Sequence, residues 1–173
     1  MNLADKIELA FAGRQIPLNV VATASLAHPD CDVEDALWFS GRDWHALGWK
    51  DWKEHSAAIS FFLPDAFAYY LPSVMILSIQ NPVEELMAAD SLINELDCSP
   101  DPKAWTDDLV SRFLLLNQVE LDVMREWLLQ LCEYEPYRGY GFSASGAGDK
   151  FGRAFDTVDL LKSEVERRRV ASG

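Results

Sequence analysis

Apolar residues recur along this chain at intervals of three and four, the spacing that lines one side of an α-helix. Leu3, Ile7, Ala10 and Phe11 form the first such stripe, and Gly13 with Pro17 closes it. Residues 18 to 26 are apolar and β-branched but too short to assign. Asp32 is the expected N-cap of a second helix over Val33 to Phe39, with Glu34 and Asp35 in a first turn that favours negative charge. Asn81-Pro82-Val83-Glu84 has the form of another helix start, followed by the stripe Leu86, Ala89, Ile93 and Leu96. Pro100 and Pro102 mark a loop, after which Thr106 caps a short helix carrying Leu109, Val110 and Phe113. Asn117-Gln118-Val119-Glu120 resembles a capping box, and Leu121, Met124, Trp127, Leu128 and Leu131 line the helix that follows. Residues 136 to 150 are rich in glycine and serine and read as a mobile loop. A C-terminal amphipathic helix over 151 to 170 carries Phe155, Val158, Leu161 and Val165, with Arg167 to Arg169 at the end where cations suit the helix dipole. The pattern predicts an all-α protein, a single helical domain over 1 to 173 with about six to eight helices.

The most aromatic stretch, Phe61 to Met75, holds two prolines. Phe67, Tyr70, Leu71 and Val74 follow the helical spacing, and Pro64 fits a first turn. Pro72 has no N–H to offer residue 68, which predicts a helix to Tyr70, a bend, and a second helix from Pro72 to Ile79. Adjacent residues on a helix point about 100° apart, so only one of Tyr69 and Tyr70 is expected to face the core. Trp38, Trp44, Trp49 and Trp52 cluster nearby. Trp38 and Trp44 are assigned to the core, which leaves Trp49 or Trp52 as the more exposed members and both as candidate partner-binding residues, since tryptophan dominates contact energy at interfaces.

Length and composition fit this picture. A chain of 173 residues with 49% hydrophobic and 25% charged residues is ordinary for one globular domain. At this size roughly 70% of the unfolded surface can be buried. The first fifteen residues show no signal peptide, and no apolar run approaches the roughly 20 residues that cross a bilayer. Cys31, Cys98 and Cys132 lack paired spacing and read as reduced thiols, which points to the cytoplasm.

Charge changes the picture more. The net charge is −13, and residues 82 to 135 alone hold thirteen acids against three bases. Such a balance disfavours nucleic acid and anionic membranes, whose binding rests on Lys and Arg. It suits a basic protein partner, because complementary fields steer encounter.

No catalytic or metal motif survives inspection. Asp30, Asp32 and Glu34 take the first, third and fifth places of a calcium loop, but the sixth is Asp35 and the twelfth Gly41. His45 and His55, if on one helix, would lie roughly 15 Å apart along it, too far to share a zinc. His28 and Cys31 have no second pair to close a site. Acidic neighbours would raise the thiol pKa of Cys31 and blunt it as a nucleophile. Gly139-Tyr140-Gly141-Phe142-Ser143-Ala144 follows a helix rather than a strand, against a dinucleotide fingerprint. In Gly141 to Gly146 the second glycine comes one residue late for a nucleophile elbow. No cofactor and no metal are expected.

Ala10-Phe11, Trp44, Phe62-Leu63, Ala66-Phe67 with Tyr70-Leu71-Pro72, Arg112-Phe113, and Gln118 leading to Trp127-Leu128 form a set of short motifs that resembles a family of uncharacterised bacterial proteins. The resemblance spans residues 3 to 132. It departs from the pattern at Ala68, where a basic residue is frequent. It implies a predominantly helical fold, and no activity or ligand comes with it.

These observations define two functional expectations. The first is an acidic protein-interaction module, of the immunity or antitoxin type, that binds and neutralises a basic partner such as a toxin. Its face would be the acidic helices 82 to 96 and 106 to 135, led by Glu84, Glu85, Asp107 and Asp108, with Trp49, Trp52 and Tyr140 as apolar contacts. The second is an enzyme with a site between the Trp38–Trp52 cluster and the 136 to 150 loop, using Glu54, His55 and Tyr140.

Overall fold

The hydrophobic stripes converge on one central helix. The computed structural model describes residues 1–27, 29–140 and 149–171. In chain order its α-helices are α1 (Leu3–Phe11), α2 (Cys31–Trp38), α3 (Trp49–Glu54), α4 (Ala58–Phe61), α5 (Pro64–Gln80), α6 (Met87–Leu96), α7 (Asp107–Phe113), α8 (Gln118–Leu131) and α9 (Lys150–Ala171). No β-strand occurs among the described residues, so the all-α reading holds. The helix number exceeds the expected range because α3 and α4 are six and four residues long, too short to show a stripe.

Helix α5 is apolar on every side, and twelve of its seventeen residues are buried. It packs against α1, α7, α8 and the 3₁₀ turn Trp44–Ala46. Two serines on it accept indole N–H groups from opposite directions. Trp52 of α3 donates to Ser73 Oγ at 2.9 Å, and Trp127 of α8 donates to Ser78 Oγ at 2.9 Å. Each serine hydroxyl donates in turn to a backbone carbonyl three residues back, Tyr70 O at 2.8 Å and Met75 O at 3.0 Å. Both polar pairs are thus satisfied in the core, as buried groups must be.

Two expectations for this segment are overturned. Pro72 does not split the helix, which runs unbroken from Pro64 to Gln80. The missing N–H and the ring clash cost about 3 kcal/mol, but residues on both sides of the proline are gripped by neighbours. Tyr69 and Tyr70 are both buried, at 4% and 0% exposure. A helix surrounded by packing has no outward face for either. The Tyr70 hydroxyl donates to Phe39 O at 2.5 Å and also approaches Arg42 O at 3.0 Å. Gly41, at φ +71°, turns the chain between those two carbonyls, a conformation that a side chain would strain. Burial pushes the Tyr70 phenol up to about 12.

Two helix starts also move. Asp30, not Asp32, caps α2, accepting from Val33 N at 3.0 Å. Asn81 ends α5 by donating its N–H to Leu77 O at 3.2 Å, and α6 begins only at Met87. The reason is Tyr137, whose buried hydroxyl accepts the Leu86 N–H at 3.0 Å and so draws that donor out of a helix begun at Pro82. The stripe Leu86, Ala89, Ile93 and Leu96 is buried as expected. Thr106 caps α7, and the Asn117–Glu120 capping box opens α8.

Helix α9 lies antiparallel to α8, with Arg125 on Asp159 at 3.0 Å and Lys162 on Asp122 at 2.6 Å. It also runs alongside α6, where Lys150 donates to Asn94 Oδ1 at 2.7 Å and Arg153 pairs with Asp97. Phe151, Ala154, Thr157, Val158 and Leu161 fill the seam. No described helix is long and apolar enough to cross a membrane.

Candidate protein-binding surface

Where the cations go decides what the surface presents. Lys6 of α1 holds Glu126 of α8 at 2.6 Å. Arg14 forks onto Glu120 with contacts of 2.7 and 2.5 Å and also donates to Leu115 O at 2.9 Å. Arg125, Lys162 and Arg153 tie α9 to its neighbours, as described. Arg112, only 4% exposed, sits between α4, α6 and α7, pairing with Asp108 and with Glu95 Oε1 at 3.3 Å. Arg167 and Arg168 converge on Glu164 at 2.6 and 2.9 Å, holding that carboxyl down at about 2. Most cations are therefore engaged at seams between helices or along α9.

Several of the remaining carboxylates face solvent. Glu34, Asp65, Glu84, Asp107 and Asp156 are exposed with no cationic side chain in salt-bridge range among the described residues. Glu84 and Glu85 lie in the turn between α5 and α6, where Glu85 contributes to raising Tyr137, whose phenol burial pushes up to about 12. Asp107 and Asp108 lie in the first turn of α7, and Asp108 is bound by Arg112. Arg112 also reaches Glu95 near the C-terminal end of α6, so the two carboxylate pairs sit at opposite ends of that helix. The rise from Met87 to Glu95 alone is about 12 Å, beyond the Debye length of about 8 Å at physiological salt. They are two separate acidic spots, not one face.

The tryptophans are distributed otherwise than expected. Trp52 is fully buried and corrected from surface to core, because its indole N–H is consumed by Ser73. Trp44 is buried, while Trp38 is half-buried with Arg42 over its ring at 3.7 Å and His55 stacked against it at 4.5 Å. Trp49 is half-buried, and its buried indole N–H finds no acceptor among the described residues. The side chain of Tyr140, residues 141–148 and His28 lie outside the described residues.

Of the residues named for an enzyme, Glu54 and His55 take separate partners, and the side chain of Tyr140 lies outside the described residues. His55 Nδ1 lies 2.9 Å from Asp35 Oδ1. Glu54 points elsewhere and meets Lys50 at 3.6 Å, an exposed pair one turn apart. The three thiols are all raised above the ordinary cysteine value, Cys31 chiefly by Asp32 and the other two chiefly by burial. Thiols so placed are poor nucleophiles.

Sequence reasoning missed Arg112 and Glu120, both buried charges, and the two serine acceptors. A lone arginine on a helix carries no mark of burial. The signal for the serines was available, since Ser73 and Ser78 interrupt an otherwise apolar helix.

Residues 3–139 match the model of a family of unknown function, DUF6714. No curated protein and no solved structure gives a significant match.

Proposed function

We propose, from the premise that the chain belongs to this family of unknown function, that it is an acidic protein-binding module whose partner is basic. The observation that carries the reading is the disposition of charge. A chain of net charge −13 ties most of its cations into in-chain pairs, and so presents a field of uncompensated carboxylates to any approaching molecule. Such a field raises the rate of encounter with a cationic protein and repels nucleic acid and other acidic chains. Neutralisation of a basic toxin by an immunity- or antitoxin-like protein is the specific form this function takes in a bacterial cytoplasm.

The test uses the full chain as bait in lysate of the source cell, beside a Glu84→Lys/Asp107→Lys variant. Both residues are exposed and have no cationic partner among the described residues, so the variant is expected to keep its fold. A stoichiometric basic protein is expected at low salt, lost in 0.5 M salt and weakened by the variant. A partner retained equally by both proteins, and indifferent to salt, would refute the proposal.

A further inference from the structure

The bare carboxylates differ in what surrounds them. Asp65, in the first turn of α5, lines a cavity of about 640 Å³ between the start of that helix and residues 13–19, which follow α1. Ile16 and Leu18 from the loop, with Leu63 and Pro64 from the helix start, give its walls an apolar surface. Ile16 is 47% exposed and Leu18 99%, so Leu18 contributes nothing to the core. Covering these side chains with another molecule removes apolar surface from water. Concave apolar walls with a few polar groups are the usual form of a binding site.

The charge in this cavity is not balanced. The cation among its lining residues, Arg14, is already held by Glu120, with contacts of 2.7 and 2.5 Å, and by Leu115 O at 2.9 Å. Asp65 has no cationic side chain in salt-bridge range among the described residues. The start of α5 favours a negative charge, but a helix end carries only about half a unit of positive charge, which leaves the site net negative. The rim is also fixed in advance. Arg14 pins one end of the loop against α8, and the Leu63 N–H donates to Val20 O at 2.8 Å, which ties the other end to the start of α5. A preorganised site loses less freedom when it binds.

Resting on the reading of a basic partner, we infer that this cavity anchors an arginine side chain of that partner. The aliphatic stem lies along Ile16, Leu18 and Pro64, and the guanidinium reaches the Asp65 carboxylate, whose two oxygens accept parallel N–H donors. Arginine suits the place better than lysine, because its guanidinium is more weakly hydrated and its fork matches a carboxylate. The cavity exceeds one side chain, and the remaining space takes an apolar neighbour of the arginine that covers Leu18.

The test is an NMR titration of the isotope-labelled full chain with two capped tripeptides, leucine-arginine-leucine and leucine-citrulline-leucine. Citrulline keeps the shape of arginine and removes its charge. The arginine peptide is expected to shift the amides of Leu18 and Asp65 and to bind about three- to fivefold more tightly than the citrulline peptide. Asp65→Asn, on an exposed side chain, should abolish that difference, and unchanged circular dichroism confirms the fold. Equal affinity of the two peptides, or a difference that Asp65→Asn leaves intact, overturns the inference. So does the absence of shifts at residues 13–19 and 63–65 with either peptide. Capture of the partner from lysate separates this inference from the reading beneath it, and Asp65→Asn is expected to weaken that capture. A salt-sensitive basic partner held equally by wild type and Asp65→Asn leaves the acidic reading standing and removes the cavity as its anchor. A lysate that yields no salt-sensitive basic partner refutes both.

Discussion

Replacing Ser78 by alanine tests whether the core is as tightly specified as its hydrogen bonds imply. Ser78 is fully buried on α5, accepts the Trp127 indole N–H at 2.9 Å and donates to Met75 O at 3.0 Å. Alanine removes the acceptor and leaves the indole N–H stranded among apolar atoms, since Trp127 is itself 0% exposed. Stranding a buried neutral donor costs about 1–3 kcal/mol. The Met75 carbonyl loses little, because it is already available to the helical ladder. Alanine returns about 0.5 kcal/mol through its higher helix propensity. The expected net loss is about 0.5–2.5 kcal/mol, a fall in melting temperature of up to several degrees for a chain of this length. Chemical denaturation followed by circular dichroism and tryptophan fluorescence measures it. A double-mutant cycle with Trp127→Phe isolates the pair, because the phenyl ring needs no acceptor and Ser78→Ala should then be nearly neutral. If Ser78→Ala costs the same in both backgrounds, or nothing in either, the indole is not relying on that hydroxyl and the account of the core is wrong.

Phe67→Ala should cost about 3–5 kcal/mol, since the ring is fully buried, packs on Phe113 at 4.9 Å and lies under the Arg112 guanidinium at 5.2 Å; a near-neutral result in the same denaturation assay would contradict its place at the centre. Glu95→Gln should alter the pH dependence of stability. Burial raises the Glu95 carboxyl above its ordinary value despite the Arg112 charge, so the folded state holds its proton more tightly than the unfolded state. Its contribution is full below the unfolded pKa and is lost as pH rises through the folded one, so wild type should lose stability relative to Glu95→Gln on going from pH 4 to 7. A stability difference that stays flat across that range would show that the burial and the pairing cancel.

The elements legible in the sequence were those whose signal is local. The Asn117–Glu120 box and the Thr106 cap depend on side chains reaching their own backbone within three residues, and both appear as read. The stripes of α1, α6 and α8 were legible because each of those helices buries one side and wets the other. The errors concentrate where a distant residue decides. Pro72 would bend a helix left to itself, but α5 is clamped by Trp52 and Trp127, which lie 20 residues before it and 55 after it. The start of α6 is set by Tyr137, some fifty residues downstream. Trp52 went to the core because of a serine acceptor on another helix, a match that no spacing rule reveals. The separation of Glu84 and Glu85 from Asp107 and Asp108 along α6 is tertiary and could not be read from proximity in sequence.

Stability and recognition draw on the same small stock of cations here, and that shapes the surface. An acidic chain pays for compactness in self-repulsion, and the few Lys and Arg residues are positioned where two helices meet, at α1–α8, α8–α9, α6–α9 and α6–α7. Apart from the buried Arg112–Glu95 pair, such partly exposed pairs contribute at most about 1 kcal/mol each, so their energetic share in the fold is modest beside the apolar core. Their larger effect is to neutralise acids at the seams while leaving the loop and helix-start carboxylates bare. Helix α9 illustrates the division. It lies beyond the family match at residue 139, yet Phe151, Val158 and Leu161 are buried against the family core, and Arg153 and Lys162 cancel Asp97 and Asp122. The helix thereby completes the hydrophobic interior and subtracts negative charge from the α6 and α8 flanks. The bare carboxylates, Glu84 and Asp107 among them, are consequently left in the turn before α6 and in the first turn of α7.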